Sequence, residues 1–86
     1  MKRHTLRRRY GRAMVDAKSM ARDLHAAGSL AVHDPRTGSS FTITTFGRQA
    51  GKRGYSVVEG GVVRVHGRLM SAAQLHDWLS KLERAS

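Results

Sequence analysis

The chain has 86 residues, 16 Lys+Arg against 6 Asp+Glu for a formal net charge of +10, 40% hydrophobic residues, one Pro and no Cys. That suffices for one small domain around a single core, and it excludes a disulfide scaffold, thiolate chemistry and a Cys-based zinc site. No run of about 18 apolar residues could cross a membrane, and no apolar stretch follows the basic start, so neither a spanning segment nor a secretory signal is expected.

The charge is unevenly placed. Lys2, Arg3, Arg7, Arg8, Arg9 and Arg12 fall in the first twelve residues with no acid among them. Residues 1–9 read as a basic arm and residues 10–86 as a single α+β domain. Tyr10, Ala13, Met14, Ala17, Met20, Ala21, Leu24 and Ala27 recur at spacings of three and four, which predicts an amphipathic helix ended by Gly28. Leu6 extends that stripe backwards, so the arm either continues the helix or stands off it. Arginines in a first turn oppose the positive end of the helix dipole, which argues for fraying unless an anion neutralises them.

Leu30 and Val32 mark a short strand, and Asp34-Pro35-Arg36-Thr37-Gly38 is a turn. Residues 40–46 alternate, with Phe41, Ile43 and Thr45 on one face and Thr42, Thr44 and Phe46 on the other. Residues 47–53 read as a basic glycine loop carrying Arg48, Lys52 and Arg53. Tyr55 to Val58 and Val62 to His66 are two further strands joined by a tight turn at Gly60-Gly61. Ser71-Ala-Ala-Gln74 fits a capping box opening a last helix, with Leu75, Trp78, Leu79 and Leu82 as its stripe and Lys81 and Arg84 near its C-terminus. The whole is an α+β two-layer sandwich: N-terminal helix, four-stranded antiparallel meander, C-terminal helix. The expected inward set is Leu30, Val32, Phe41, Ile43, Tyr55, Val57, Val63 and Val65. It would face Met14, Ala17, Met20, Leu24, Leu75, Trp78, Leu79 and Leu82, with Trp78 as a core anchor.

Candidate chemistry is sparse. Gly47-x-x-x-Gly51-Lys52 is one residue short of a nucleotide-binding loop, Arg53 stands where a magnesium-holding hydroxyl belongs, and a strand follows where a helix is needed. The histidines at 4, 25, 33, 66 and 76 have no metal-ligand spacing, although His33 and His66 would share the outer face if their strands paired. Asp16 and Asp23 are expected to pair with Arg12, Lys18 or Arg22. No converging acid–base or nucleophilic set can be assembled, so neither an enzyme nor a cofactor is expected.

The expected outer sheet face is Thr42, Thr44, Phe46, Ser56, Val58, Arg64 and His66. It reads as a base-stacking platform built on Phe46 and Arg64, as a homodimer surface, or as a face from which Phe46 turns inward at a bulge near Gly47. The helix–strands–helix order resembles that of double-stranded RNA-binding domains in topology alone. Their basic motif at the start of the final helix is replaced here by Ser71-Ala-Ala-Gln74.

Two separate basic runs on a strongly cationic domain point to a polyanion. The leading expectation is a non-catalytic DNA- or RNA-binding protein, cytoplasmic or nucleoid-associated. Arg3, Arg7, Arg8, Arg9 and Arg12 would track phosphates, Arg48, Lys52 and Arg53 would hold a neighbouring stretch of backbone, and Arg64 and Arg68 would extend the surface. The alternative is a protein–protein adaptor or inhibitor that docks an acidic partner, as encoded by mobile genetic elements. For any one of these runs alone the plainer reading is a solvated, charge-bearing surface.

Overall fold

The computed structural model describes residues 2–85, and side chains for residues 13–48 and 50–85. The elements follow one another as α1 (Lys2–Ala27), β1 (Ser29–Asp34), β2 (Ser39–Gln49), β3 (Lys52–Glu59), β4 (Val62–Met70), α2 (Ala72–Leu79) and β5 (Glu83–Arg84). The strands form one antiparallel sheet in the order β4-β3-β2-β1-β5. The architecture is α+β, as the alternation of periods implies: four meander strands lie between two helices, and a short fifth strand joins β1.

The 26 residues of α1 rise about 39 Å at 1.5 Å per residue, close to the 43 Å longest dimension of the molecule. Its buried stripe is Ala17, Met20, Ala21 and Leu24. The backbone of the basic arm is helical from Lys2 onwards, continuous with the core-packing half. Gly28, at φ +84°, ends the helix and donates to the Leu24 carbonyl at 2.7 Å. The chain then enters β1, whose register with β2 sets Leu30 opposite Ile43 and Val32 opposite Phe41.

Those pairs share the helix-side face. β2 and β3 continue it, with Ile43 opposite Val57 and Thr45 opposite Tyr55. The core closes with Met70 from β4, Leu75 and Leu79 from α2, and Leu82 beyond it; Leu30, Phe41 and Trp78 pack against it half-buried. Each fully buried side chain of this size contributes roughly 1.5–3 kcal/mol.

Four expectations are corrected. First, the basic glycine stretch is mostly strand: β2 runs to Gln49 and β3 starts at Lys52, which leaves only Ala50 and Gly51 as the turn. Ala50 reaches φ +53° and Gly51 φ +76°, the mirror-image turn whose twist matches a right-twisted hairpin. Second, β4 is longer than residues 62–66 and lies at the sheet edge, where Val63 and Val65 are 53% and 38% exposed rather than in the core. Third, α2 stops at Leu79. Ser80 donates its hydroxyl to the Asp77 carbonyl at 2.6 Å, the chain turns, and Glu83–Arg84 adds to the free side of β1. Leu82 is therefore buried from a turn and Arg84 lies on a strand, not on a helix end. Fourth, Asp23 pairs with Arg84 at 2.5 Å, not with a neighbour on its own helix. The capping box at Ser71 is present: its hydroxyl accepts from the Gln74 amide at 3.2 Å, and Gln74 Oε1 accepts from the Ser71 amide at 2.9 Å.

Candidate nucleic-acid interface

One β-bulge decides where the hairpin's charge goes. Phe46 lies opposite Gly54, but the register shifts at Gly47, and Arg48 then lies opposite Arg53. β3 itself alternates regularly, so Arg53 shares a face with Tyr55 and Val57, which is the helix side. The bulge turns Arg48 to the same side. Arg68 lies opposite Tyr55 and Met70 opposite Arg53, which brings Arg68 onto that face as well. Directly opposed residues have Cβ atoms about 5 Å apart and diagonal ones about 7–8 Å. Arg48, Arg53 and Arg68 thus form a slanting row of three guanidinium-bearing positions along the helix-side face.

The end of α1 meets this row. His25 Nε2 and the Tyr55 hydroxyl are 2.7 Å apart. The imidazole pKa is lowered from 6.5, first by partial desolvation and then by the positive charges of Arg53, Arg48 and His76. A neutral Nε2 can therefore accept the phenolic hydrogen. Burial raises the Tyr55 pKa above its ordinary 10.0 despite the opposing effect of Arg53 and Arg48, so the phenol keeps that hydrogen at neutral pH. Part of the positive field falls on the negative C-terminal end of α1, where cations are favourable.

Opposed like charges on a ladder cost stability, and among the described residues no carboxylate pairs with Arg48 or Arg53 to offset them. Among the described residues the ion pairs are Arg36–Asp34, Lys81–Asp77 and Arg84–Asp23. Arg48, Lys52, Arg53, Arg64 and Arg68 have no carboxylate within ion-pair distance among the described residues.

The other expected site residues are distributed differently. Lys52 lies opposite Gln49 on the outer side of the hairpin. Arg64 is exposed on the edge strand. The side chains of Arg3, Arg7, Arg8, Arg9 and Arg12 lie outside the described residues. The structure thus brings Arg48, Arg53 and Arg68 together and leaves Lys52 and Arg64 apart from them.

The outer sheet face is more closed than its residue types suggest. Ser56 is buried, its hydroxyl 3.1 Å from His66 Nδ1. Phe46 does not turn inward at the bulge. Its ring lies over Gly54, stacks on His66 at 5.7 Å between centroids, and remains 44% exposed. His33 and His66 do not meet, because β1 and β4 are separated by two strands; His33 bonds Ser40 instead. Among the described residues no three His, Cys, Asp or Glu side chains cluster as metal ligands, and no helix is long and apolar enough to cross a membrane.

Sequence reasoning passed over two features of the helix-side face. One is the His25–Tyr55 contact, which joins residues 30 apart and has no local signal. The other is a cleft of about 230 Å³ lined by Phe41, Tyr55, Val57, Val65, Met70 and Trp78, with Arg68 on its wall. No family model matches the chain, and neither a curated protein nor a solved structure matches it.

Proposed function

We propose that this is a small non-catalytic nucleic-acid-binding protein that holds a phosphate backbone along the helix-side row Arg48–Arg53–Arg68, with Lys52 at the hairpin tip and the basic arm on α1 extending the contact. One observation carries the reading: Arg48 and Arg53 oppose each other across the hairpin with no carboxylate near them among the described residues. That arrangement costs stability in the free protein and becomes favourable when an anion bridges the pair. Arginine suits the task because its planar fork bonds phosphate oxygens two at a time. Such contacts supply affinity without reading sequence.

The test is fluorescence anisotropy with labelled single- and double-stranded DNA and RNA at three salt concentrations, on the full chain and on Arg48→Gln/Lys52→Gln/Arg53→Gln. Each phosphate contact contributes about 0.9 to the logarithmic salt slope on duplex DNA and about 0.7 on single strands, so the triple variant should flatten the slope by roughly 2–3. The same variant should be as stable as the parent or slightly more so, since it removes a like-charge pair. Absence of binding at low salt by folded, nucleic-acid-free protein would retire the reading.

A second reading has an observation of its own. β4 is an uncovered edge with Val62, Val63, Val65 and Leu69 exposed beside Arg64 and Arg68, a form that accepts an extended acidic segment of another protein as an added strand. Such binding would persist in the hairpin triple variant and fail when the β4 backbone is blocked.

A further inference from the structure

The two helices cover the sheet unevenly. Over β1 and the middle of β2 the face is sealed, with Val32 and Ile43 fully buried. Towards β4 it opens: Val57 and Val65 are paired neighbours, yet Val57 is only half-buried and Val65 is 38% exposed. The resulting cleft lies between these valines and α2. Phe41 and Trp78 form part of its wall, their rings near-parallel at 13° with centroids 6.4 Å apart. At about 230 Å³ it lies below the roughly 300–1,000 Å³ of pockets for drug-sized molecules, and so has room for one planar ring system.

Its surroundings select the ligand. Arg68 belongs both to this cleft and to an adjoining, more polar recess with Gln74, Asp77 and Lys81; Met70 and Trp78 are common to the two. Arg53 lies opposite Met70, on the next rung along. An apolar slot with an indole in its wall therefore opens onto the same arginine row that carries the phosphate reading. A flat, uncharged ring tethered to a polyanion matches both parts at once. A base within a duplex stack is not free to enter such a slot, whereas an unpaired base is.

We propose that this cleft seats one unpaired base of a single-stranded nucleic acid against Trp78, with Arg68 on the flanking phosphate. The proposal rests on the phosphate-binding reading above and narrows it to single strands or unpaired bases. Base–aromatic stacking makes such a contact worth about fivefold to a hundredfold in affinity.

Trp78 is the chain's one tryptophan, so its fluorescence reports on the cleft directly. The full chain is titrated with three probes of equal length: oligothymidylate, an oligomer in which tetrahydrofuran spacers replace every base, and a duplex. Expected results are saturable quenching of Trp78 by oligothymidylate, little quenching by the spacer oligomer or the duplex, and tighter anisotropy binding of oligothymidylate than of the spacer oligomer. Val65→Phe adds bulk at an exposed position lining the cleft. It should erase that difference while leaving spacer-oligomer binding unchanged, whereas Phe46→Ala on the outer face should leave the difference intact. Equal binding of the two oligomers with no quenching overturns the base-binding cleft and leaves the phosphate reading standing. Loss of the difference in Phe46→Ala instead of Val65→Phe also overturns it, by moving the base to the outer face. Failure of all three probes to bind overturns both readings together.

Discussion

A methyl group added at Gly54 should displace Phe46, and the size of the effect can be worked from the geometry. The Cβ would stand 2.6 Å from Phe46 Cε2, 2.9 Å from Cζ and 3.0 Å from Cδ2, where ordinary carbon contacts are at least 3.4 Å. The backbone of Gly54 is not in the left-handed region, so the side chain alone sets the outcome. The Phe46 ring is 44% exposed and can swing outwards. In doing so it forfeits its cover over the β3 backbone, about half of the roughly 1.5–3 kcal/mol of a fully buried side chain. It also forfeits its stacking on His66, about 0.5–1.5 kcal/mol. Against this, alanine in a strand interior gains about 0.5–1 kcal/mol over glycine. The net expectation for Gly54→Ala is a loss of about 1–2 kcal/mol. In a Phe46→Ala background the clash is gone, and Gly54→Ala should be neutral or stabilising by about 0.5 kcal/mol. Urea unfolding of the four proteins of this cycle measures the coupling directly. Strictly additive effects, with coupling below about 0.5 kcal/mol, would show that the ring does not rest on Gly54.

The pKa of His25 predicts a pH dependence. Its folded value is lowered from 6.5 by desolvation and by Arg53, Arg48 and His76, so the unfolded chain binds the proton more readily than the folded one. His25 therefore leaves stability undiminished above pH 6.5 and erodes it as the pH falls towards the lowered folded value. NMR titration of the imidazole should show that value rising in Arg48→Gln/Arg53→Gln, and an unchanged midpoint would refute the placement of both arginines. Ser71→Ala removes the hydroxyl that accepts from Gln74 and should cost about 1 kcal/mol in urea unfolding. Ala50→Asn, at φ +53° on the hairpin tip, should raise stability by about 0.5–1 kcal/mol, because asparagine tolerates the left-handed region better than alanine; a loss would place that turn in another conformation.

Most of the architecture was readable from period alone. Ala17, Met20, Ala21 and Leu24 repeat at helical spacing, Phe41, Ile43 and Thr45 at strand spacing, and Ser71 with Gln74 announces a helix start. The candidate site was only half readable, because parity fails across an extra residue. Counting by twos from Phe41 puts Phe46 and Arg48 both on the outer face; the bulge at Gly47 sends Arg48 to the helix side and leaves Phe46 outside. β4 carries the same lesson twice. The register shifts between its pairings opposite Tyr55, Val57 and Val58 place Arg68 inward, yet turn Val63 away from the core that simple alternation assigns it. The end of α2 was lost for a different reason. Leu82 continues a helical stripe, but the free side of β1 captures the next two residues, and no local pattern encodes an open edge elsewhere in the chain.

That open-edge logic also applies at the far side of the sheet. β4 ends the strand order, and its residues from Val62 to Leu69 are all exposed. An edge this long and this apolar would be expected to recruit a second copy unless something prevents it. Two devices are visible. Its register slips twice against β3, with Gly67 at φ +74° inside one slip, so an added strand can follow it only over a short stretch and not along its whole length. Arg64 and Arg68 also repel any edge with the same sequence. Arg64→Val removes one charge and leaves four consecutive valines at the start of the strand, which should turn a monomer into a salt-sensitive associating species measurable by sedimentation velocity. If that variant stays monomeric wherever the parent does, the backbone slips together with the remaining Arg68 suffice to protect the edge. If instead the parent itself associates and Arg64→Val leaves that unchanged, β4 is an interface whose pairing does not depend on this charge. In both of those cases the Arg64 charge does not govern pairing at this edge.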